Sequence, residues 1–295
     1  MNFFVIGSLN MDLVIQSPVA PEKGMTVAGE GFMMNSGGKG ANQATAIAKL
    51  GGDVRMVGCV GKVFGEELKN TLSSYGVNVD LVETKTDVSS GIAVIIVSNG
   101  DNRIVLDKGA NAKVTQDIID YALSFAEEGD YLVLQLEIPI ESVCYALQAA
   151  KAKKMITVLN PAPAAKLLDD AITNCDYFIV NQSEAKFYTD MYPTDAQSAR
   201  QCAEILQSQG AKNVLITLGE QGSVCACKDG FYSVSACKVD AVDTTAAGDT
   251  YVGAFVTYLS EGKSIEEAMA FASKAAAITV TRRGAQQSIP YRTEI

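Results

Sequence analysis

The apolar positions fall into two rhythms that alternate along most of the chain. Short runs of strand character occupy residues 3–6, 54–60, 131–136, 155–159, 177–180 and 214–217. They are rich in Val, Ile, Leu and Phe with few polar breaks, as expected of strands buried on both faces. Between them, apolar residues recur three and four apart. That spacing predicts helices at 64–75, 115–126, 139–152, 183–188, 195–209 and 265–281, and a short one at 164–171. Another helix opens at 37–43 and stops at Gly51-Gly52, with Ala44, Ile47, Ala48 and Leu50 on its apolar side. Strands alternating with helices predict an α/β fold: a three-layer sandwich whose mostly parallel central sheet is covered by helices.

Two segments break the rhythm. Residues 13–35 are interrupted by Pro18, Pro21, Gly24, Gly29 and Gly31, with short β-prone pieces between. Residues 90–107 read as a hairpin around Asn99-Gly100-Asp101-Asn102, a strong turn signal. Together they are expected to form a small β-sheet lid on a single domain spanning 1–295. Such a sheet exposes one face, which a second copy of the chain could cover as a homodimer. A further hairpin is expected at 222–227 and 231–235.

The candidate chemistry centres on Asp243-Thr244-Thr245-Ala246-Ala247-Gly248-Asp249-Thr250. A helical pattern follows at once, with Val252, Phe255, Val256 and Leu259 at i, i+3, i+4 and i+7. Ala246, Ala247 and Gly248 are then expected in the first turn, where free N–H groups and the helix dipole suit a phosphate. Asp249 would project from the same turn, be kept ionised by the helix terminus, and accept a proton from a substrate hydroxyl. The same residues would also suit an ordinary core helix with an acidic N-terminus. Other polar residues gather just past strand ends, where open α/β sheets bind ligands: Asn10 and Asp12, Glu137, Asn160, Asn181 and Glu184, Thr217 and Gly219. Asn10 and Asp12 point to one side of an extended segment and could grip neighbouring hydroxyls, or form an Asx turn. Gly37-Gly38-Lys39-Gly40 lacks the spacing of a Walker A loop or a dinucleotide fingerprint.

Composition narrows the chemistry. The chain of 295 residues has no histidine, which removes Ser-His-Asp and Cys-His catalysis and any His-ligated metal. Its seven cysteines form no Cys-x-x-Cys pair and are expected to be reduced. Any metal should be a hard, oxygen-bound ion such as Mg²⁺. A net charge of −10 argues against a general nucleic-acid or anionic-membrane binder. No apolar run reaches a membrane span and no leader pattern opens the chain, so a soluble cytoplasmic protein is expected.

Six pieces in order resemble the ribokinase-like (PfkB) carbohydrate kinases, from Gly7 to Pro290. They are Gly37-Gly38-Lys39-Gly40-Ala41-Asn42-Gln43, Gln135-Leu136-Glu137, Asn160-Pro161-Ala162-Pro163-Ala164, Thr217-Leu218-Gly219, Asp243 through Thr250, and Arg283-Gly284-Ala285-Gln286. The resemblance implies ATP-dependent phosphorylation of the terminal 5-hydroxyl of D-ribose, with 2-deoxyribose, fructose or a nucleoside as other acceptors, or a non-catalytic binding protein of the same fold. By that resemblance Asn10, Asp12, Gly38, Lys39, Asn42 and Glu137 hold the sugar. Asp249 is the base, and backbone N–H groups at 246–248 receive the phosphoryl group in transit. Asn181 and Glu184 match an Asn-x-x-Glu that organises Mg²⁺, through water, and the ATP phosphates. Thr217, Leu218, Gly219, Glu220, Gln221, Gly222, Gly248 and Ser273 border the nucleotide; Ser273 departs from the His of a well-known bacterial member. A monovalent cation, usually K⁺, is implied at Asp243, the Thr245 backbone, carbonyls of Thr279, Arg282 and Gly284, and Ser288. Many members run somewhat past the position of Ile295, so a last helix is expected to be missing.

Overall fold

The computed structural model describes residues 1–98, 101–168 and 171–295. In chain order the elements are β1 (Asn2–Ile6), β2 (Asn10–Gln16), β3 (Glu30–Gly37), α1 (Lys39–Lys49), β4 (Asp53–Gly61), α2 (Gly65–Ser74) and β5 (Asn78–Lys85). Then come β6 (Gly91–Ser98), β7 (Asp101–Asp107), α3 (Gln116–Leu123), β8 (Tyr131–Leu134), α4 (Ile140–Ala152), β9 (Ile156–Leu159), β10 (Tyr177–Asn181), α5 (Gln182–Thr189) and α6 (Ala196–Ser208). The rest is β11 (Asn213–Thr217), β12 (Ser223–Cys227), β13 (Gly230–Val234), α7 (Ala247–Ser260) and α8 (Ile265–Val280).

Among the described residues, nine strands form one sheet in the order β13-β12-β11-β10-β9-β8-β1-β4-β5. The run from β11 through β5 is parallel, and the β12–β13 hairpin adds two antiparallel strands at one edge. The two-residue period of a strand divides the core. Phe4 and Ile6 of β1 face a cluster built with α3, α4, α5 and α6. Phe3 and Val5 face the other cluster, built with α1, α2, α7 and α8. Fully buried rings such as Phe3, Phe4, Phe178 and Phe255 each contribute about 2–3 kcal/mol of transfer free energy.

The four-stranded sheet has the order β3-β2-β6-β7. Leu13 lies between Met34 and Val94, and Val94 lies opposite Val105. Phe32, two residues before Met34, extends the same row. Phe32, Met34, Val94 and Val105 are 62%, 48%, 42% and 73% exposed, an apolar face turned to solvent. No helix among the described residues is long and apolar enough to cross a membrane.

Asn10 and Asp12 lie in the extended segment expected for them, within β2, and not in an Asx turn. The predicted helix at 164–171 does not form over its described residues. The Ala165 carbonyl instead accepts the Tyr188 hydroxyl at 2.7 Å, a tertiary bond in place of a helical one. Strand β5 had no counterpart in the sequence pattern. The Asn99-Gly100 pair of the proposed turn lies outside the described residues.

Candidate active site

Helix α1 begins where the two sheets meet. Its N-cap, Gly38, has φ of 92°, a conformation that favours glycine. A Cβ there would also press on Asn10 N and Ser8 O, each at 2.8 Å. The turn therefore lets α1 start directly beside the end of β1 and the root of β2.

Around that junction Glu137, just past β8, gathers three donors. Its Oε2 accepts Ser8 Oγ at 2.5 Å, Asn10 Nδ2 at 3.3 Å and the Lys39 N–H at 3.3 Å. Asn10 is fixed from behind by Asn111, whose Nδ2 donates to Asn10 Oδ1 at 2.7 Å. Asn111 is itself anchored by the Leu9 N–H, 2.9 Å from its Oδ1. Asp12 follows on the same face of β2, against Gly37, where any Cβ would strike its carboxylate. Burial, then the charges of Glu137 and Asp249, push Asp12 up to about 7. Burial also draws Lys39 down, but the carboxylates of Asp249, Glu137 and Glu184 outweigh it and raise the ammonium above its ordinary range. One lysine thus faces several carboxylates, a surface suited to a neutral polyhydroxyl ligand.

Asp249 lies in the first turn of α7 and is buried. Asn42 Nδ2 donates to its Oδ2 at 2.9 Å, and Gln43 Nε2 to its Oδ1 at 3.0 Å. The helix terminus predicted an ionised carboxylate. Burial instead raises its pKa, opposed by Lys39 and then by the amides of Asn42 and Gln43. Desolvation by burial outweighs the groups that favour the anion.

Ahead of α7, Ala246 is the N-cap rather than part of the first turn, and it is left-handed with φ of 61°. That backbone is costly for alanine, and a left-handed residue beside a helix start is a conformation that can turn successive N–H groups into a concave seat for an anion. Ala247 N–H leans on Thr244 O at 3.3 Å. Gly248 faces open space, with no atom within 4 Å of a would-be Cβ.

On the other side of this turn is a cleft of about 760 Å³. Thr217, Gly219, Glu220, Gln221, Gly222, Gly248 and Ser273 line it. Leu218 does not; its side chain joins the core and its N–H bonds Gly222 O at 2.8 Å. The loop before α7 adds Ala236, Cys237, Lys238 and Val239, and the helices add Tyr251 and Ala276, none of them marked by a sequence motif. Asn181 and Glu184 form a capping box on α5: Asn181 Oδ1 accepts Glu184 N at 2.8 Å, and Glu184 Oε2 accepts Asn181 N at 2.9 Å. Burial raises Glu184, opposed by Asn181 and Lys39.

Behind the seat, two loops meet at Asp243. Its Oδ1 accepts the Thr245 N–H at 2.9 Å and the Thr245 hydroxyl at 2.7 Å, and its Oδ2 accepts the Gly284 N–H at 3.0 Å. Burial alone would raise Asp243; these hydrogen bonds and Arg283 hold it below its ordinary range. Thr279 lies in the last turn of α8, where carbonyls carry partial negative charge, and its hydroxyl bonds Thr250 at 3.1 Å. Arg282 turns its side chain away to Glu294 at 2.7 Å, and Ser288 is buried. Lys49, at the far end of α1, donates to Gln286 O at 2.8 Å and Ile289 O at 2.9 Å, tying this loop to the helix.

The sequence pattern gives Asn111 and Ser8 no role, marks Asn160 by its strand-end position, and carries Gln43 and Gln135 only within motifs. Strand-end position also singles out Gln135, which follows β8 (Tyr131–Leu134) directly. Asn111 carries no local signal.

A model of the pfkB family carbohydrate kinases matches residues 2–292. A ribokinase of Schizosaccharomyces pombe is 42% identical, over 100% of this chain and 96% of its own. A deoxyribokinase of Salmonella typhi is 37% identical, over 98% of this chain and 96% of its own. Among solved structures, an Arabidopsis thaliana ribokinase complexed with ribose and ATP has a TM-score of 0.91 at 29% identity, covering 99% of this chain and 96% of that one.

Proposed function

The chain belongs to the pfkB family of carbohydrate kinases, and from that premise we propose that it transfers the γ-phosphoryl group of ATP to the 5-hydroxyl of D-ribose, giving D-ribose 5-phosphate and ADP. The observation that carries this reading is the position of Asp249, in the first turn of α7, whose Ala247 and Gly248 line the 760 Å³ cleft while its carboxylate feels the charges of Lys39 and Glu137. The 42% identical relative is a ribokinase, and a relative in the same fold was solved with ribose and ATP.

Asn10, Asp12, Lys39, Asn42 and Glu137, with the Gly38 backbone, would hold the sugar hydroxyls, and its terminal hydroxyl would face Asp249. Asp249 takes that proton as the oxygen attacks the γ-phosphorus and the bond to the bridging oxygen of ADP breaks. A base raised by burial is better matched to a neutral-pH proton transfer than an ordinary carboxylate. N–H groups at 246–248 would stabilise the charge on the phosphoryl group in transit. ATP would lie in the cleft along Thr217, Gly219 to Gly222 and Ser273.

Mg²⁺ fits as a partner of ATP rather than as a protein-caged ion: among the described residues no three carboxylates or thiols are placed so that they could hold a metal ion. Glu184 would reach it through water, with Asn181 beside the phosphates, and the ion would neutralise phosphate charge. K⁺ would fit the loop behind the seat, where a depressed carboxylate, Asp243, accepts the Thr245 and Gly284 N–H groups; the Thr245 backbone, the carbonyls of Thr279, Arg282 and Gly284, and Ser288 would complete its ligands. Bound there, it would supply positive charge behind the anion seat. The small sheet of residues 13–35 and 90–107 would act as a lid, and its apolar outer face would pair with a second copy in a homodimer. The protein would work in the cytoplasm.

The 37% identical deoxyribokinase supports a second reading, 2-deoxy-D-ribose as acceptor. ATP turnover against D-ribose, 2-deoxy-D-ribose, D-fructose and adenosine, in K⁺ and in Na⁺, separates them. D-ribose should win by orders of magnitude. Preference for another acceptor would leave the fold and Asp249 in place but remove the sugar assignment.

A further inference from the structure

We infer that Gln135 is a positioning residue for phosphoryl transfer: it fixes which way round the Gln43 amide lies, and so keeps an N–H on Asp249. The inference rests on reading Asp249 as the base.

The four side chains form a directed chain of hydrogen bonds. Gln135 Nε2 donates to Gln43 Oε1 at 2.6 Å. Gln43 Nε2 donates to Asp249 Oδ1 at 3.0 Å and to Asn160 Oδ1 at 3.1 Å. Asn160 Nδ2 donates to the Ile179 carbonyl at 2.9 Å. The Ile179 carbonyl can only accept, so it fixes the sense of Asn160, whose oxygen must then face Gln43. Gln135 closes the other end by giving the Gln43 oxygen a donor. With both ends held, the Gln43 nitrogen faces two acceptors and cannot turn its oxygen onto Asp249. Gln43 and Gln135 are fully buried, so no solvent competes for these groups.

Gln135 uses only half of its own amide. Its Oε1 is buried without a hydrogen-bond partner. A glutamine kept for packing alone would be replaced at lower cost by an apolar residue. Room for it exists only because residues 7 and 40 are glycines: a Cβ on Gly7 would strike Gln135 Oε1 and lie 2.8 Å from Gly40 Cα. The backbone approach of β1 to α1 thus encloses an amide whose working atom is its donor. Gln135 lies one link behind the reacting group and touches neither pocket ligand, so its effect should fall on turnover rather than on binding.

The test compares kcat–pH profiles of the wild type, Asp249→Asn, Gln135→Met and Gln135→Glu, with ADP binding by calorimetry as the check on folding. Without the donor, the Gln43 amide is free to leave or reverse, and a buried carboxylate that loses an N–H favours its protonated form. Gln135→Met should therefore lose about 10- to 100-fold in kcat, with sugar and ATP KM within about 2-fold. Its acid limb should move up by about one pH unit. Gln135→Glu donates only while protonated, so it should recover turnover at low pH and add an alkaline fall that Gln135→Met lacks. Unchanged kcat and limbs in both Gln135 variants would overturn the inference. So would a loss of turnover that tracks lost ADP binding with no limb shift, since packing alone would explain it. Full turnover by Asp249→Asn would instead remove the reading of the base itself.

Discussion

Asn42 and Asp249, 207 residues apart in sequence, meet where Asn42 Nδ2 donates to Asp249 Oδ2 at 2.9 Å. The bond joins the first turns of α1 and α7. Neither helix end needs the other for its own capping, yet the carboxylate is oriented by both. The proposed sugar pocket and phosphate seat would therefore be built as one unit.

Asp249→Asn should lose at least ~10²–10⁴ in kcat, the usual worth of a positioned base. Binding of ADP and of sugar should persist, because the amide keeps the shape of the side chain. Steady-state kinetics together with calorimetry check this; near-normal turnover would sink the assignment.

Asn111 should matter as much as the sugar residue it supports. Its Nδ2 holds Asn10 Oδ1 at 2.7 Å and so leaves the Asn10 Nδ2 directed at Glu137 Oε2, 3.3 Å away. Asn10→Ala and Asn111→Leu should both raise the sugar KM by about 10-fold or more, with kcat less affected. Equal KM values in wild type and Asn10→Ala would contradict the pocket.

Asp12 should couple stability to pH. Burial, then Glu137 and Asp249, raise its folded pKa from 3.8 to about 7, so the fold prefers the protonated form. That contribution is complete below pH about 4 and is lost as pH rises through about 7. Asp12→Asn should raise the Tm of the sugar-free protein at pH 8, by on the order of 2 kcal/mol in stability, and change it little at pH 4. Thermal melts at the two pH values decide; a lower Tm at pH 8 would show that a partner stabilises the charge.

The loop at Asp243 should respond to monovalent cations. K⁺ should raise both turnover and Tm relative to Na⁺, and Asp243→Asn should abolish the difference in Tm. A K⁺ effect retained in that variant would move the cation elsewhere.

The outer face of the small sheet should hold two copies together. Val105 is 73% exposed in a row with Phe32, Met34 and Val94. Val105→Lys should convert a dimer into a monomer by light scattering, since a charge cannot be buried there unpaired. A wild-type monomer at micromolar concentration would remove the proposal.

The alternation of buried strands and amphipathic helices was legible because parallel strands covered on both faces leave long apolar runs. Strand β5 escaped because it is an edge strand: only Leu81 and Val82 are buried, and Asp80, Glu83 and Thr84 dilute the pattern. The 164–171 segment reads as helical on composition, but its Ala165 carbonyl is claimed by Tyr188, a partner that no local window contains. Asp249 was found from its helix terminus, while the direction of its pKa was not, because burial is a property of the assembled fold. Asn111 and the Gln135–Gln43 link were invisible for the same reason: their partners lie 101 and 92 residues away.

Asn10 is the first residue of β2 and pairs with Gly37 on one side and Gly91 on the other. A Cβ on Gly91 would strike Asn10 Oδ1, and one on Gly37 would strike Asp12. The stem of the small sheet is thus made of the same atoms that shape the pocket. Such a sheet is not an interchangeable module. On the proposed sugar assignment, transplanting it between enzymes of this fold would carry acceptor preference with it, and recombination breakpoints that spare specificity would have to fall outside residues 10–42 and 91.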